Sequence, residues 1–312
     1  MNNKPVAIMD LGTNTFHLLI AEANPDGPKE LLHLYEPVKL GQGGINKGLI
    51  QPDAFERGIK TMEIFHREML RLDVGQIKAI ATSALRTASN GQDFISLVKQ
   101  KTGIQIELVD GEREAVYIYE GVKSSGCLSD YNTLIIDIGG GSVEFIICNK
   151  ECLIWKQSFE IGAARLMDKY HQVDPVPADA ISELQAYLDG VLSPLIEAVK
   201  GTPIKKLIGS SGAFETFAEV IELERGHLFD LKSLKAMDFN YHEFMLLTAR
   251  LISSDHAERA ATKGIIPLRV DMIVMASLLT RYVMDRLNID AVGMSMYSLK
   301  EGVLAEMICY ES

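Results

Sequence analysis

The chain has 312 residues, 47% hydrophobic and 23% charged, with a formal net charge of −11, a globular composition with room for two domains of about 100–200 residues. The acidic balance argues against a nucleic-acid polymer or an anionic membrane as partner, because both are bound through basic side chains meeting phosphate. No apolar run approaches the ~18 residues of a spanning helix, the longest, Met272–Thr280, ending at Arg281, and cysteines 127, 148, 152 and 309 are too scattered for a disulfide framework or a zinc site.

The first strand begins within about five residues of Met1, leaving no space for a signal peptide, so a cytoplasmic location is expected. Val6–Asp10 and Phe16–Ile20 read as two buried strands joined by the tight turn Gly12-Thr13-Asn14-Thr15. Asn24–Pro28 reads as a turn, Leu31–Tyr35 as a third strand and Pro37–Gly48 as a glycine-rich loop. Pro52 opens a helix in which Phe55, Ile59, Met62, Phe65, Met69 and Leu72 recur at helical spacing. A strand over Ile77–Ala81, a helix around Asp93–Lys101, a strand over Ile104–Val109 and a helix over Glu112–Val122 follow, and Lys123–Tyr131 reads as a domain boundary.

The second half opens as the first does. Thr133–Asp137 and Val143–Ile147 are apolar runs around Gly139-Gly140-Gly141-Ser142. A strand near Leu153–Phe159, helices at 178–200 and 213–223, a strand over Lys206–Ile208 between them, and mostly helical sequence from 241 onward complete the pattern. The repeated unit implies two related half-domains facing one cleft.

Glycine lets the backbone approach a ligand closely, and successive N–H groups beside a Ser or Thr hydroxyl make an anion-binding concavity. That chemistry assigns Gly12, Thr13, Asn14 and Thr15, with Gly139, Gly140, Gly141 and Ser142, to phosphate, although a pair of ordinary β-hairpins fits the same residues. The aspartates ending the first strand of each copy, Asp10 and Asp137, would repel phosphate unless a hard cation or its water stands between. Glu144 shares a face with Ser142 and can share a metal with Asp137, or face solvent. Ala81–Arg86 joins a strand to a helix, where N–H groups and Arg86 can grip phosphate or Arg86 can simply follow a helix cap. In Gly209-Ser-Ser-Gly212, Ser211 and Gly212 fit phosphate contact or a connecting turn. Glu112 and Glu114 suit the macrodipole of a helix start, and a carboxylate there can also hold a water in line with phosphorus. Local features of this kind must hold a small polyanion against an acidic overall field.

Asp10-Leu-Gly-Thr-Asn-Thr-Phe-His17, Ala81–Arg86, Gly111-Glu-Arg-Glu-Ala115, Ile136–Glu144, Gly209–Gly212, Pro267-Leu-Arg-Val-Asp271 and Ser298-Leu-Lys-Glu-Gly302 together resemble the exopolyphosphatase/guanosine pentaphosphate phosphatase family of the actin-like superfamily. The resemblance covers nearly the whole chain. It implies an α/β fold of two ribonuclease-H-like domains around a central cleft, and magnesium- or manganese-dependent release of the terminal phosphate from polyphosphate or guanosine pentaphosphate. By motif it implies Glu114 as base, Asp137 and Glu144 as metal and water ligands, the two glycine loops as phosphate sites, and Lys39, Arg86 and Arg269 as basic residues near the cleft. Lys39 stands where Arg is commoner and cannot reproduce a bidentate grip. Arg113 stands beside the base where another acid is usual, and Lys300 replaces an Arg.

The expected division is 1–123 with a returning 298–312, and 124–297, the last helix packing on the first half through Leu299, Val303, Leu304 and Ile308. Longer family members carry C-terminal domains that help hold long polymer, so short substrates are expected here. An actin-like kinase of sugars or carboxylic acids and a non-catalytic nucleotide sensor are the alternatives, and phosphate release without an added acceptor separates the hydrolase from both. A homodimer is left open.

Overall fold

A computed structural model describes residues 4–22, 24, 28–227 and 229–309, the side chains of Lys232, Ile308 and Cys309 excepted. The centre of the expected Asn24–Pro28 turn and the side chain of Ile308 therefore lie outside the described residues. The chain divides into two compact units, Met1–Tyr117 with Leu299–Ser312, and Ile118–Ser298.

In the first unit β1 (Val6–Leu11), β2 (Phe16–Glu22), β3 (Lys29–Glu36), β4 (Gln76–Ala81) and β5 (Ile106–Leu108) form a sheet in the order β3-β2-β1-β4-β5. The first three strands are a meander of antiparallel pairs, and β4 and β5 continue parallel to β1, a ribonuclease-H-like connectivity. Helices α1 (Pro52–Arg71), α2 (Ser83–Thr87), α3 (Gly91–Thr102) and α4 (Gly111–Ser124) follow the strands. Pro52 opens α1, where its missing N–H would have no intrahelical partner anyway. Ile59, Met62, Phe65 and Met69 are buried with Leu18, Ile20 and Phe94 in one core. Leu72 lies past the end of α1 as its cap, its N–H bonded to the Glu68 carbonyl. The division between the units falls within α4, ahead of the Lys123–Tyr131 segment, because the helix runs unbroken to Ser124.

The second unit repeats the scheme. Strands β6 (Thr133–Ile138), β7 (Val143–Cys148), β8 (Leu153–Phe159), β9 (Lys206–Ser210), β10 (Ala236–Asp238) and β11 (Val292–Ser295) lie in the order β10-β11-β9-β6-β7-β8. Read from β8, the order matches the first sheet, with β10 added antiparallel at the edge. Its helices are α5 (Ala163–Tyr170), α6 (Ala178–Val191), α7 (Ser193–Val199), α8 (Gly212–Glu224), α9 (Tyr241–Ser253), α10 (His256–Ala261) and α11 (Met272–Leu287). The helix expected over 178–200 is two: Leu192 caps α6, and Pro194 fits the first turn of α7 but not the interior of a continuous helix. β6 and β7 are buried along their whole length, as strands covered on both faces are. Phe214, Phe217 and Phe244 meet mainly edge to face in the core below β9. After β11 the chain returns as α12 (Leu299–Cys309), which packs on β1 and buries Leu299, Val303 and Leu304.

One buried charge ties together three segments of the second unit. Arg259 is 1% exposed, and its guanidinium donates to the carbonyls of Val270 and Ser254 and to the carboxylates of Asp174 (2.9 Å) and Asp271 (3.2 Å). Asp174 also accepts from His171 Nε2 at 2.7 Å and from the His256 N–H at 2.5 Å. Burial pushes both carboxyls up, but hydrogen bonds from His171 and Arg259 at Asp174, and from His256 and Arg259 at Asp271, outweigh it and leave both below the ordinary value. Because the folded values are lowered, this stabilisation is complete above about pH 4, the ordinary aspartate range, and is lost as pH falls through the folded values. Asp174→Asn should cost about 3 kcal/mol, since it leaves a buried guanidinium partly uncompensated. Thermal melts between about pH 5 and pH 2 should show a shallower acid slope in that variant than in the wild type.

Candidate active site

The two glycine loops are the same object built twice. In each, the first glycine donates its N–H to the carbonyl three residues on, Gly12 to Thr15 and Gly139 to Ser142, both at 3.1 Å. A Cβ on either glycine would stand 3.0 Å from that carbonyl oxygen. Across the hairpins Asp10 lies opposite His17, and Asp137 opposite Glu144.

In each unit, the segment after the third strand takes up the loop carbonyls. In the first, Lys39 N–H donates to Asn14 O at 2.8 Å and Gly41 N–H to Thr13 O at 3.0 Å. In the second, the start of α5 does so: Gly162, Ala163 and Ala164 N–H groups donate to the carbonyls of Gly141, Gly139 and Gly140, and Arg165 Nε adds a bond to Gly141 O at 2.8 Å. A trans peptide points its C=O and the following N–H in opposite directions. The N–H groups of Gly140, Gly141 and Ser142 are thereby turned away from α5, and those of Asn14 and Thr15 away from the 39–41 segment, which is the geometry of an anion-binding concavity. Gly162 is obligatory here, since a Cβ would come within 2.4 Å of the Gly140 backbone.

In the first unit Glu114 stands in the opening turn of α4, whose start is capped by the Asp110 carboxylate accepting from Arg113 N–H at 2.7 Å. Glu114 is 6% exposed, and its Oε2 accepts from Arg86 Nη1 at 3.0 Å. The same nitrogen donates to Val109 O at 2.9 Å. The structure thus uses Arg86 to orient the carboxylate. Arg113 turns the other way, stacking over the Tyr117 ring and pairing with Glu306 of α12. Lys39 occupies the left-handed region at φ 51 and serves the loop through its backbone. His17, part of the first motif but without an expected role, lies opposite Asp10 with its Nε2 at 3.0 Å from the Thr15 hydroxyl. Its signal was present: it holds in the first copy the place of Glu144 in the second.

In the second unit Asp137 (6% exposed) and Glu144 (1% exposed) face each other across β6 and β7, a placement that puts their Cβ atoms about 5 Å apart on one face. Glu144 is therefore buried rather than facing solvent. Ser158 donates to Glu144 Oε1 at 2.6 Å. Ser210 and Ser298 donate to Asp137 Oδ2, each at 2.5 Å, and Ser211 donates to Oδ1. Ser211, the residue before α8, has φ 71 and ψ 175, a region essentially reserved for glycine. Arg269 is bound to the first turn of α8, to Thr216 and Glu215 at 2.9 Å each, with its guanidinium filling the space beside the Gly212 Cα. Gly212 and Arg269 so act together in shaping the Ser211 turn.

Hydroxyl donors hold Asp137 and Glu144 in place, and two carboxylates side by side in a buried setting suit a divalent cation. Among the described residues no three His, Cys, Asp or Glu side chains gather as an all-protein cage. Magnesium commonly takes only one or two carboxylates and completes its shell with water and substrate phosphate. The Asp137 and Glu144 pair fits that requirement.

A model of the Ppx/GppA phosphatase family matches residues 19–311. A guanosine-5'-triphosphate,3'-diphosphate pyrophosphatase of Photobacterium profundum is 26% identical over 304 residues, covering 97% of this chain and 59% of its own. One of Vibrio cholerae is 25% identical over 305 residues with the same shares, so the chain spans 59% of the length of these curated relatives. Among solved structures, an exopolyphosphatase from Cytophaga hutchinsonii is 40% identical with a TM-score of 0.95, covering 98% of each chain. The Aquifex aeolicus member of the Ppx/GppA family has the same fold at 23% identity, with a TM-score of 0.81, covering 99% of this chain and 98% of that one.

The backbone of Ser211 makes a separable prediction. Ser211→Ala loses the bond to Asp137 and keeps the strain, whereas Ser211→Gly loses the bond and relieves it. The glycine variant should be the more stable of the two by about 1–3 kcal/mol in denaturant unfolding, the reverse of the usual cost of glycine.

Proposed function

This chain belongs to the Ppx/GppA phosphatase family, and we propose that it hydrolyses the terminal phosphoanhydride bond of polyphosphate or guanosine pentaphosphate. The observation that carries the reading is the buried Asp137 and Glu144 pair beside a loop whose N–H groups are turned outward. Acid pair and anion site together suit a phosphate chain accompanied by a divalent cation, and suit neither partner alone.

Asp137 and Glu144 would hold magnesium or manganese, which when bound offsets the charge of the phosphoryl oxygens. In the second unit the Gly139–Ser142 backbone offers N–H groups suited to phosphate oxygens; in the first unit the Gly12–Thr15 backbone offers the same, and Arg86 keeps Glu114 in one orientation. Glu114 takes a proton from water as the water oxygen bonds to phosphorus. The P–O bond to the rest of the chain breaks, and the departing oxygen leaves with the electron pair. Asp10 is the corresponding acid of the first loop, opposite His17, and would stand toward a cation there as Asp137 does in the second. Ser211 acts at the Asp137 side of the site through its hydroxyl bond, and Gly212 through the space it leaves for Arg269. A net charge of −11 favours short substrates, since long polymer must cross more repelling surface. Arg113, the residue that motivates a non-catalytic sensor, bonds to Tyr117 and Glu306.

Glu114→Gln preserves size and removes the charge. Phosphate release from tripolyphosphate, without any acceptor, should fall about 10²–10⁴-fold in kcat while substrate binding persists, and near-normal turnover would remove Glu114 from the mechanism. Removal of divalent metal with excess chelator should abolish turnover, and added magnesium or manganese should restore it.

A further inference from the structure

We propose that Ser210, Ser211 and Ser298 select which divalent cation the site accepts, by leaving Asp137 a single oxygen with which to coordinate it. The inference rests on the reading of Asp137 as a cation ligand and adds to it a determinant of specificity. An ionised carboxylate has about four acceptor positions, two on each oxygen. Ser210 and Ser298 both donate to Oδ2, which fills it, and Ser211 occupies one position on Oδ1. One position on Oδ1 remains. A cation held by both oxygens would have to displace hydroxyl donors from Oδ2.

The collar is not a by-product of one turn. Ser210 ends β9, Ser211 precedes α8 and Ser298 precedes α12, so three stretches of chain converge on one carboxylate. Ser210 is fully buried, so no bulk water can replace its hydroxyl. Ser211 holds its place in a backbone region that disfavours any residue with a Cβ.

The consequence follows from the size of the ions. Calcium takes six to eight oxygens and readily uses both oxygens of one carboxylate, whereas magnesium is octahedral, keeps its waters and needs one oxygen from each acid. A carboxylate with one open position therefore favours magnesium and manganese over calcium.

The test uses the intact protein without substrate: manganese binding followed by electron paramagnetic resonance, with magnesium and calcium as competitors. Wild type should yield manganese to magnesium at lower concentration than to calcium. Ser298→Ala and Ser210→Ala each open a position on Oδ2 and should move this preference toward calcium by about tenfold. Ser298→Thr keeps the donor and should retain the wild-type preference. Ser298 is only part-buried, so its alanine variant carries the test if Ser210→Ala folds poorly. An unchanged preference in the alanine variants, with manganese binding lost in Asp137→Asn, overturns the collar and leaves the metal site standing. Manganese binding that survives Asp137→Asn overturns both.

Discussion

The carbonyls of Thr13 and Asn14 in one glycine loop, and of Gly139, Gly140 and Gly141 in the other, are held by backbone donors behind the loop. Planarity of the peptide then decides the rest: a carbonyl anchored on one side is an N–H presented on the other. In the second unit the anchor is a helix start together with the Arg165 guanidinium, and in the first it is the backbone of Lys39 and Gly41. The anion-binding edge is therefore set by interactions on the side of the loop away from the ligand. Close approach at Gly162 is what permits the second anchor, and a side chain there would push anchor and loop apart, whereas at Gly12 and Gly139 it would press on the carbonyl that closes the loop.

The repeat shows how one scaffold is given two chemistries. The loop closure and cross-strand register are the same in both copies, while the residue opposite the aspartate is His17 in one and Glu144 in the other. An acid opposite an acid concentrates negative charge and suits a cation. A histidine opposite an acid adds no second negative charge, and its Nε2 lies 3.0 Å from the Thr15 hydroxyl. The first unit carries in exchange the Glu114 and Arg86 pair, in which the partner is a fixed guanidinium rather than an exchangeable ion.

Much of this is written locally in the chain. Apolar runs around a Gly and hydroxyl turn specify the hairpins, and the matched positions of Asp10 with His17 and Asp137 with Glu144 follow from loops of equal length. What the sequence conceals is long-range. Ser298 reaches a carboxylate 161 positions away, and nothing near either residue announces the partnership. Arg259 sits in an ordinary helical stretch, yet its guanidinium is fully enclosed among two acids and two carbonyls. Arg269 reads as a basic residue for phosphate, but its bonds to Glu215 and Thr216 make it part of the α8 turn. The short strands β10 and β11 escape notice because three or four residues carry too little alternation to separate them from the helices around them.

The return of α12 to β1 bears on the order of events during synthesis. Residues 118–298 form a contiguous unit with its own core, whereas the first unit includes residues from 299 onward that pack on its central strand. As the chain leaves the ribosome, the earlier-made unit must wait for a helix made after the second unit, while the second unit can finish on its own. Until then the β1 surface that Leu299, Val303 and Leu304 will cover remains exposed, so a nascent chain stalled before residue 299 would present one completed unit and one apolar face inviting a chaperone.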